Sequence, residues 1–190
     1  MNFVDIVFAS VLANNLLFFH FLGLDEFLNS EGLPNLLGRT FVLAVTLLIC
    51  AAGYWLGDHF LLQVWHLQFL RTLLLLGIFA LVIGMYAMSV SGVGRSSWPT
   101  PRELLVHSFL VGGVLLVGSS SPDLAEVLTA SLAVAIGYGA ALALLGAVFR
   151  RLAREPIPAF AQGLPLRLLT LGVVWLVLHG LEFAFAGKAS

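Results

Sequence analysis

The chain has 190 residues, 60% of them hydrophobic and only 10% charged, with a net charge of −1. A soluble domain carries roughly 25% charged residues because its surface meets water, so these side chains cannot cover a compact soluble body. The balanced charge also excludes a nucleic-acid partner or a polybasic lipid-binding surface. With a mean hydropathy of +1.03, the natural solvent for this surface is lipid.

A spanning helix needs about 20 apolar residues, since it rises ~1.5 Å per residue across ~30 Å of hydrocarbon. Six apolar segments come near that length, and they predict an all-α integral membrane protein with a single transmembrane domain over residues 1–190. The first runs from Phe3 to Leu22. It has neither a basic leader nor a small-residue cleavage pattern, so it reads as a retained helix rather than a signal peptide. The second runs from Thr40 to Leu62, the third from Leu70 to Val90, and the fourth, short and glycine-rich, from Leu104 to Gly118. The fifth covers Leu124 to Phe149 and the sixth Leu164 to Phe185. Turn-forming residues punctuate the connections at Asn29 to Pro34, Ser96 to Pro101, Ser119 to Asp123 and Pro156 to Pro158. The single cysteine, Cys50, lies in an apolar run and reads as a small buried hydrophobe.

Basic residues orient the bundle. The first, third and fifth connections and their flanking helix ends hold Arg39, Arg95, Arg102, Arg150, Arg151, Arg154 and Arg167, against Arg71 and Lys188 on the other side. Cytoplasmic loops carry the excess of Lys and Arg, so both termini are expected on the non-cytoplasmic side of a bacterial inner membrane. Leu70-Arg71-Thr72-Leu73-Leu74 opens the third segment and Leu166-Arg167-Leu168-Leu169-Thr170 the sixth, each with a glycine, Gly84 or Gly180, thirteen residues beyond its arginine. Halves of three spans each, approximately 1–95 and 96–190, would insert in opposite senses as inverted repeats, an arrangement that places a functional centre between them. In such folds discontinuous helices line the centre, and the first segment is a candidate for a broken half-helix.

Polar side chains at membrane depth need partners or a function. Asn14 and Asn15 fall mid-way along the first segment, followed by His20, while His107 and Ser108 lie near the start of the fourth. If the two segments correspond under the repeat, these groups meet at the centre as a polar lining; interhelical hydrogen bonding is the simpler role. Asp25 and Glu26 follow Gly23 and would bind a cation or relay a proton if the first helix is broken, or sit in cytoplasmic water if it runs straight through. His179 and Glu182 share a face near the end of the sixth segment, as an interfacial polar end. Among these, Asn14, Asn15, His20, Asp25, Glu26, His107 and Ser108 are the candidate polar or ion-path residues, and none is expected to be catalytic.

The run Asn14-Asn15-Leu16-Leu17-Phe18-Phe19-His20-Phe21-Leu22-Gly23-Leu24 resembles the first helix of the small integral subunits of the Rnf and Nqr electron-transport complexes. Leu70-Arg71-Thr72 resembles the opening of the family's third helix. Arg150-Arg151-Leu152-Ala153, Ile157-Pro158-Ala159-Phe160 and Gly163-Leu164-Pro165-Leu166 are similar to its fifth connection and the start of its sixth helix. The resemblance runs in order along essentially the whole chain and is strongest to the family's A-type branch. It implies a pair of related, oppositely inserted membrane subunits that hold one two-iron two-sulfur cluster between them, each giving two cysteines from the broken first and fourth helices. That cluster passes electrons between flavins or iron–sulfur centres on either side, coupled to sodium or proton translocation, so further redox subunits are implied as partners.

Where the resemblance places the ligands, this chain has Asp25 and Ser108. Iron–sulfur clusters are overwhelmingly held by thiolates, so no cofactor is expected in this chain. The expected function is a divergent membrane subunit of an Rnf/Nqr-like electron-transport and ion-translocating complex. The competing expectations are a small secondary transporter or ion channel, with Asn14, Asn15, Asp25 and Glu26 lining its path, and a membrane assembly scaffold.

Overall fold

The computed structural model describes residues 15–23, 33–90, 99–120, 123–152, 154–156, 158 and 162–186. Within them the regular structure is all helical: α1 (Leu16–His20), α2 (Leu33–Gly57), α3 (Arg71–Val90), α4 (Pro101–Val106), α5 (Ser108–Ser120), α6 (Leu124–Leu152) and α7 (Leu164–Ala186). Among the described residues three stretches are long and apolar enough to cross a bilayer: Gly38–Leu62, Arg71–Val90 and Leu124–Leu152. Two apolar helices, Ser108–Gly118 and Leu164–Gly180, are shorter.

The helix ends follow from local chemistry. Thr100 caps α4, its hydroxyl accepting from the Glu103 N–H while the Glu103 carboxylate accepts from the Thr100 N–H, with Pro101 at the first helical position. α6 carries Glu126 in its first turn and Arg150 and Arg151 in its last, each complementing the helix dipole. α2 starts at Leu33, earlier than the Thr40 expected from the apolar run. Pro34 reads as a turn residue, but proline is tolerated in a first helical turn, where its missing N–H has no intrahelical partner to lose. The fourth apolar segment, read as one run from Leu104 to Gly118 but with a break implied by the family resemblance, is two helices. His107 between them is extended, with φ −69° and ψ 110°, which ends α4 and redirects the chain into α5.

The core is the seam where α2 packs on α6 and α5 packs on both. On α2 it is built from Leu43, Leu47, Cys50, Ala51 and Tyr54, and on α6 from Val127, Val134, Tyr138, Ala141, Leu142 and Leu145, the three-to-four-residue spacing of one helical face. Cys50 lies inside this seam, as expected of a small hydrophobe. α3 lines the outer side of α2, and α7 packs on α6. The opposite faces are also apolar: Phe41 is 70% exposed and Leu81 63%. Such an exterior is stable only in lipid, where apolar side chains have no penalty for facing outward.

Polar contacts fasten both ends of the α2–α3 hairpin. At one end a π-helical turn, Asp58–Leu62, continues α2. Arg71 at the start of α3 donates from Nε and Nη2 to the two Asp58 oxygens at 2.7 and 3.0 Å, and Gln63 Nε2 donates to Oδ2 at 3.2 Å. A carboxylate this close to hydrocarbon requires such a partner. At the other end the Tyr86 hydroxyl donates to the Pro99 carbonyl at 2.9 Å, and Arg39 pairs with Glu103 at 2.6 Å. The Arg39–Glu103 pair is partly exposed and contributes about 0–1 kcal/mol.

Candidate functional site at the broken helices

α1 is only five residues long, and a turn with left-handed backbone follows it directly: Phe21 has φ 54° and Gly23 φ 78°. Left-handed backbone costs an L residue about 1–2 kcal/mol, so this turn needs to be held. Gly23 supplies the means. Its N–H donates to Ser108 Oγ at 2.9 Å, and its carbonyl accepts from the Tyr138 hydroxyl at 2.9 Å. One residue of the turn is thereby gripped by the first residue of α5 and by Tyr138, which lies midway along α6. No side chain fits at position 23, because a Cβ there would lie 2.5 Å from Tyr138 Oη. The side chain of Leu22 lies directly over Gly112 of α5, filling the space where a Cβ would stand.

Asn15 secures the other end of α1. It is 1% exposed; its Nδ2 donates to the Gly137 carbonyl at 2.8 Å and its Oδ1 accepts from the Leu17 N–H at 3.0 Å. The second bond is a helix N-cap. Asn15 therefore stands at the start of a short helix and not mid-way along a straight one, as expected from the apolar run. The Phe109 ring stacks on Tyr138 with centroids 3.9 Å apart and planes 17° from parallel, and His107, 3% exposed, meets Phe109 edge-on at 6.3 Å.

The structure thus brings together the buried Asn15, Gly23, His107, Phe109, Gly137 and Tyr138 and the half-buried Ser108 in one layer. His20, the last residue of α1, is exposed and stands apart from this layer. Asn14, Asp25 and Glu26 lie outside the described residues, as does the side chain of Glu182. His179 stacks on Trp175 at 5.1 Å. Among the described residues, no group of three or more His, Cys, Asp or Glu is placed to hold a metal ion. Sequence reasoning missed Tyr138 and the Asp58–Arg71 pair. Tyr138 stands between Gly137 and Gly139 in an otherwise apolar helix, a hydroxyl at membrane depth that was visible as a signal. Asp58 was equally visible as a carboxylate in the last turn of a span.

The turn after α1 is therefore held between the fourth segment, itself broken at His107, and the middle of α6. The family model for the Rnf-Nqr subunit membrane proteins matches residues 3–188. The chain belongs to the Rnf-Nqr membrane subunit family. It is 30% identical over 181 residues to the A-type subunit of the ion-translocating oxidoreductase complex of Proteus mirabilis, covering 90% of this chain and 92% of the relative. The protein of the same description from Syntrophotalea carbinolica is 27% identical over 195 residues, covering 98% of this chain and 97% of that one. The one from Pseudoalteromonas atlantica is 26% identical over 188 residues, covering 94% and 95%. As an Rnf-Nqr family member the chain is a membrane protein, and its apolar exterior fits that solvent.

Proposed function

We propose that this chain is an A-type membrane component of an ion-translocating electron-transport complex, and that it serves there as a structural member without an iron–sulfur cluster of its own. The family membership and the near-complete overlap with relatives described as complex subunits support the first half of this reading. The single observation that carries the second half is the Ser108–Gly23 hydrogen bond. At a position where the family resemblance puts a metal-binding thiolate, this chain has a hydroxyl that accepts from a backbone N–H. Clusters of this kind are held by thiolates, and the one thiol, Cys50, is buried on α2 in the seam with α6. This donor set does not fit a two-iron two-sulfur cluster. Asn15, Ser108 and Tyr138 each bond backbone groups of the fold, which favours a scaffold over a polar path.

In this reading the chain crosses the bacterial inner membrane six times, as inverted halves of approximately 1–95 and 96–190 with both termini outside the cytoplasm. It pairs with redox subunits and with an oppositely inserted homologous partner. The packing of α2 against α6, and of the α1 turn against α5, are the contacts such a repeat would make between equivalent elements. The seven-to-two distribution of basic residues supports the orientation.

The test is deletion in the native host followed by electron-transfer and ion-uptake assays on membrane vesicles. Loss of ion-coupled electron transfer, together with loss of the flavin- and iron-bearing partners from the purified complex, is the expected result. Unchanged coupling and an intact complex would refute the role.

A further inference from the structure

We infer that the connection between α2 and α3 is a membrane-interface anchor whose aromatic face lies among the lipid headgroups and upper acyl chains of one leaflet. Within ten residues this connection presents five large apolar side chains more than half exposed: Phe60, Leu61, Val64, Trp65 and Phe69, with Trp65 at 71% and Phe69 at 78%. In water that much exposed apolar surface is unfavourable by about 25 cal/mol per Å². In the headgroup layer it is favourable, and tryptophan is the residue enriched there.

Two further observations make lipid the occupant. The first is charge and hydrogen bonding. From residue 58 to 71 the only acid and the only Arg or Lys are Asp58 and Arg71, and they are bonded to each other. The backbone is closed on itself as well: the N–H groups of Gln63, Trp65, His66, Leu67 and Leu70 donate to the carbonyls of Asp58, Leu61, Gln63, Leu62 and Leu67. A segment with its charges paired and these donors satisfied has fewer groups to desolvate on entering a water-poor layer. The second is continuity. Leu56 on α2, and Leu73 and Leu76 on α3, are exposed on spans that lipid must cover, and they lead directly into Phe60, Val64, Trp65 and Phe69. His59, stacked on Trp55 at 4.9 Å, and the exposed His66 and Gln63 supply the polar edge that such a layer also solvates. The opposite end of the same hairpin carries Arg39, paired with Glu103 of α4. Each end of the hairpin thus has an ion pair beside it, but the 58–71 end adds an exposed aromatic face, and that face fixes its depth.

The experiment reads the depth of position 65 in the full chain, reconstituted in vesicles of phosphatidylethanolamine and phosphatidylglycerol. A single-tryptophan chain carrying Trp55→Phe, Trp98→Phe and Trp175→Phe reports Trp65 emission. Lipids brominated on the upper acyl carbons should quench most of that emission, lipids brominated near the chain ends should quench less, and aqueous iodide should have little effect. Because Trp55 and Trp175 pack against the core, a second chain guards against misfolding: Trp65→Cys with Cys50→Ala, carrying a spin label. Its relaxation should respond more to oxygen than to a water-soluble nickel chelate. Strong iodide quenching and dominant nickel access would place position 65 in water. No quenching by any bromolipid, with neither relaxant effective, would place it against a protein partner. Either outcome overturns the anchor.

Discussion

Replacing Gly23 by alanine should destabilise the chain by roughly 2–5 kcal/mol, combining left-handed strain of about 1–2 kcal/mol with overpacking of about 1–3 kcal/mol. The strain arises because φ at this residue is 78°. The overpacking arises because a new Cβ would come within 2.5 Å of Tyr138 Oη and 2.6 Å of its Cε2. The ring cannot step aside cheaply, since its hydroxyl is bonded to the Gly23 carbonyl and its face is stacked on Phe109. Thermal unfolding of the detergent-purified chain, followed by circular dichroism, measures the effect. Gly77→Ala is the control: it sits in the interior of α3 with open space where its Cβ would point, so alanine there should be neutral or stabilising by about 0.5–1 kcal/mol. Equal midpoints for the two variants would mean that the Gly23 turn is not held as described.

Asn15→Ala should cost about 2–4 kcal/mol, from a lost helix cap of about 1 kcal/mol and an abandoned buried carbonyl at about 1–3 kcal/mol. The carbonyl is that of Gly137, on the central helix of the second half of the chain, 122 residues away. The effect should therefore appear in two places. Amide exchange should accelerate in α1, where the Leu17 N–H loses its acceptor, and also in α6 around Tyr138. Exchange confined to α1 would show that the cap matters but the link between the halves does not.

The long elements were legible in the sequence wherever an apolar run has sharp edges. The third segment, expected at Leu70 to Val90, is α3 at Arg71–Val90, and the fifth, expected from Leu124, is α6 from Leu124 to Leu152. Arg71 and Asp123 mark those edges, because charge and turn chemistry change abruptly there. Legibility failed where hydropathy is uniform across a structural break. Nothing in the composition of Val106-His107-Ser108-Phe109 distinguishes a kinked segment from a straight one, and only the extended backbone of His107 divides it. Asn15 posed the same difficulty: apolar residues surround it, so a run-length reading embeds it in a helix that the structure starts after it.

The site was half legible. Asn15, His107 and Ser108 stand out as polar groups among apolar ones, and a correspondence between first and fourth segments brings them near each other. Their partners are a different matter. Asn15 and Tyr138 bond carbonyls of Gly137 and Gly23, and any residue has a carbonyl, so no side-chain pattern announces the pairing. Long-range hydrogen bonds from side chain to backbone are invisible to motif and periodicity alike, and here they hold the turn together.

The most direct test of the account is the metal content of the purified chain, measured as iron and acid-labile sulfide per polypeptide with electron paramagnetic resonance after reduction. With Ser108 bonded to the Gly23 N–H and Cys50 enclosed in the α2–α6 seam, the account predicts neither stoichiometric iron and sulfide nor a cluster signal. A stoichiometric cluster whose signal survives Cys50→Ala would contradict it, by showing that oxygen or nitrogen donors, or a partner's thiolates, serve in place of this chain's missing cysteines.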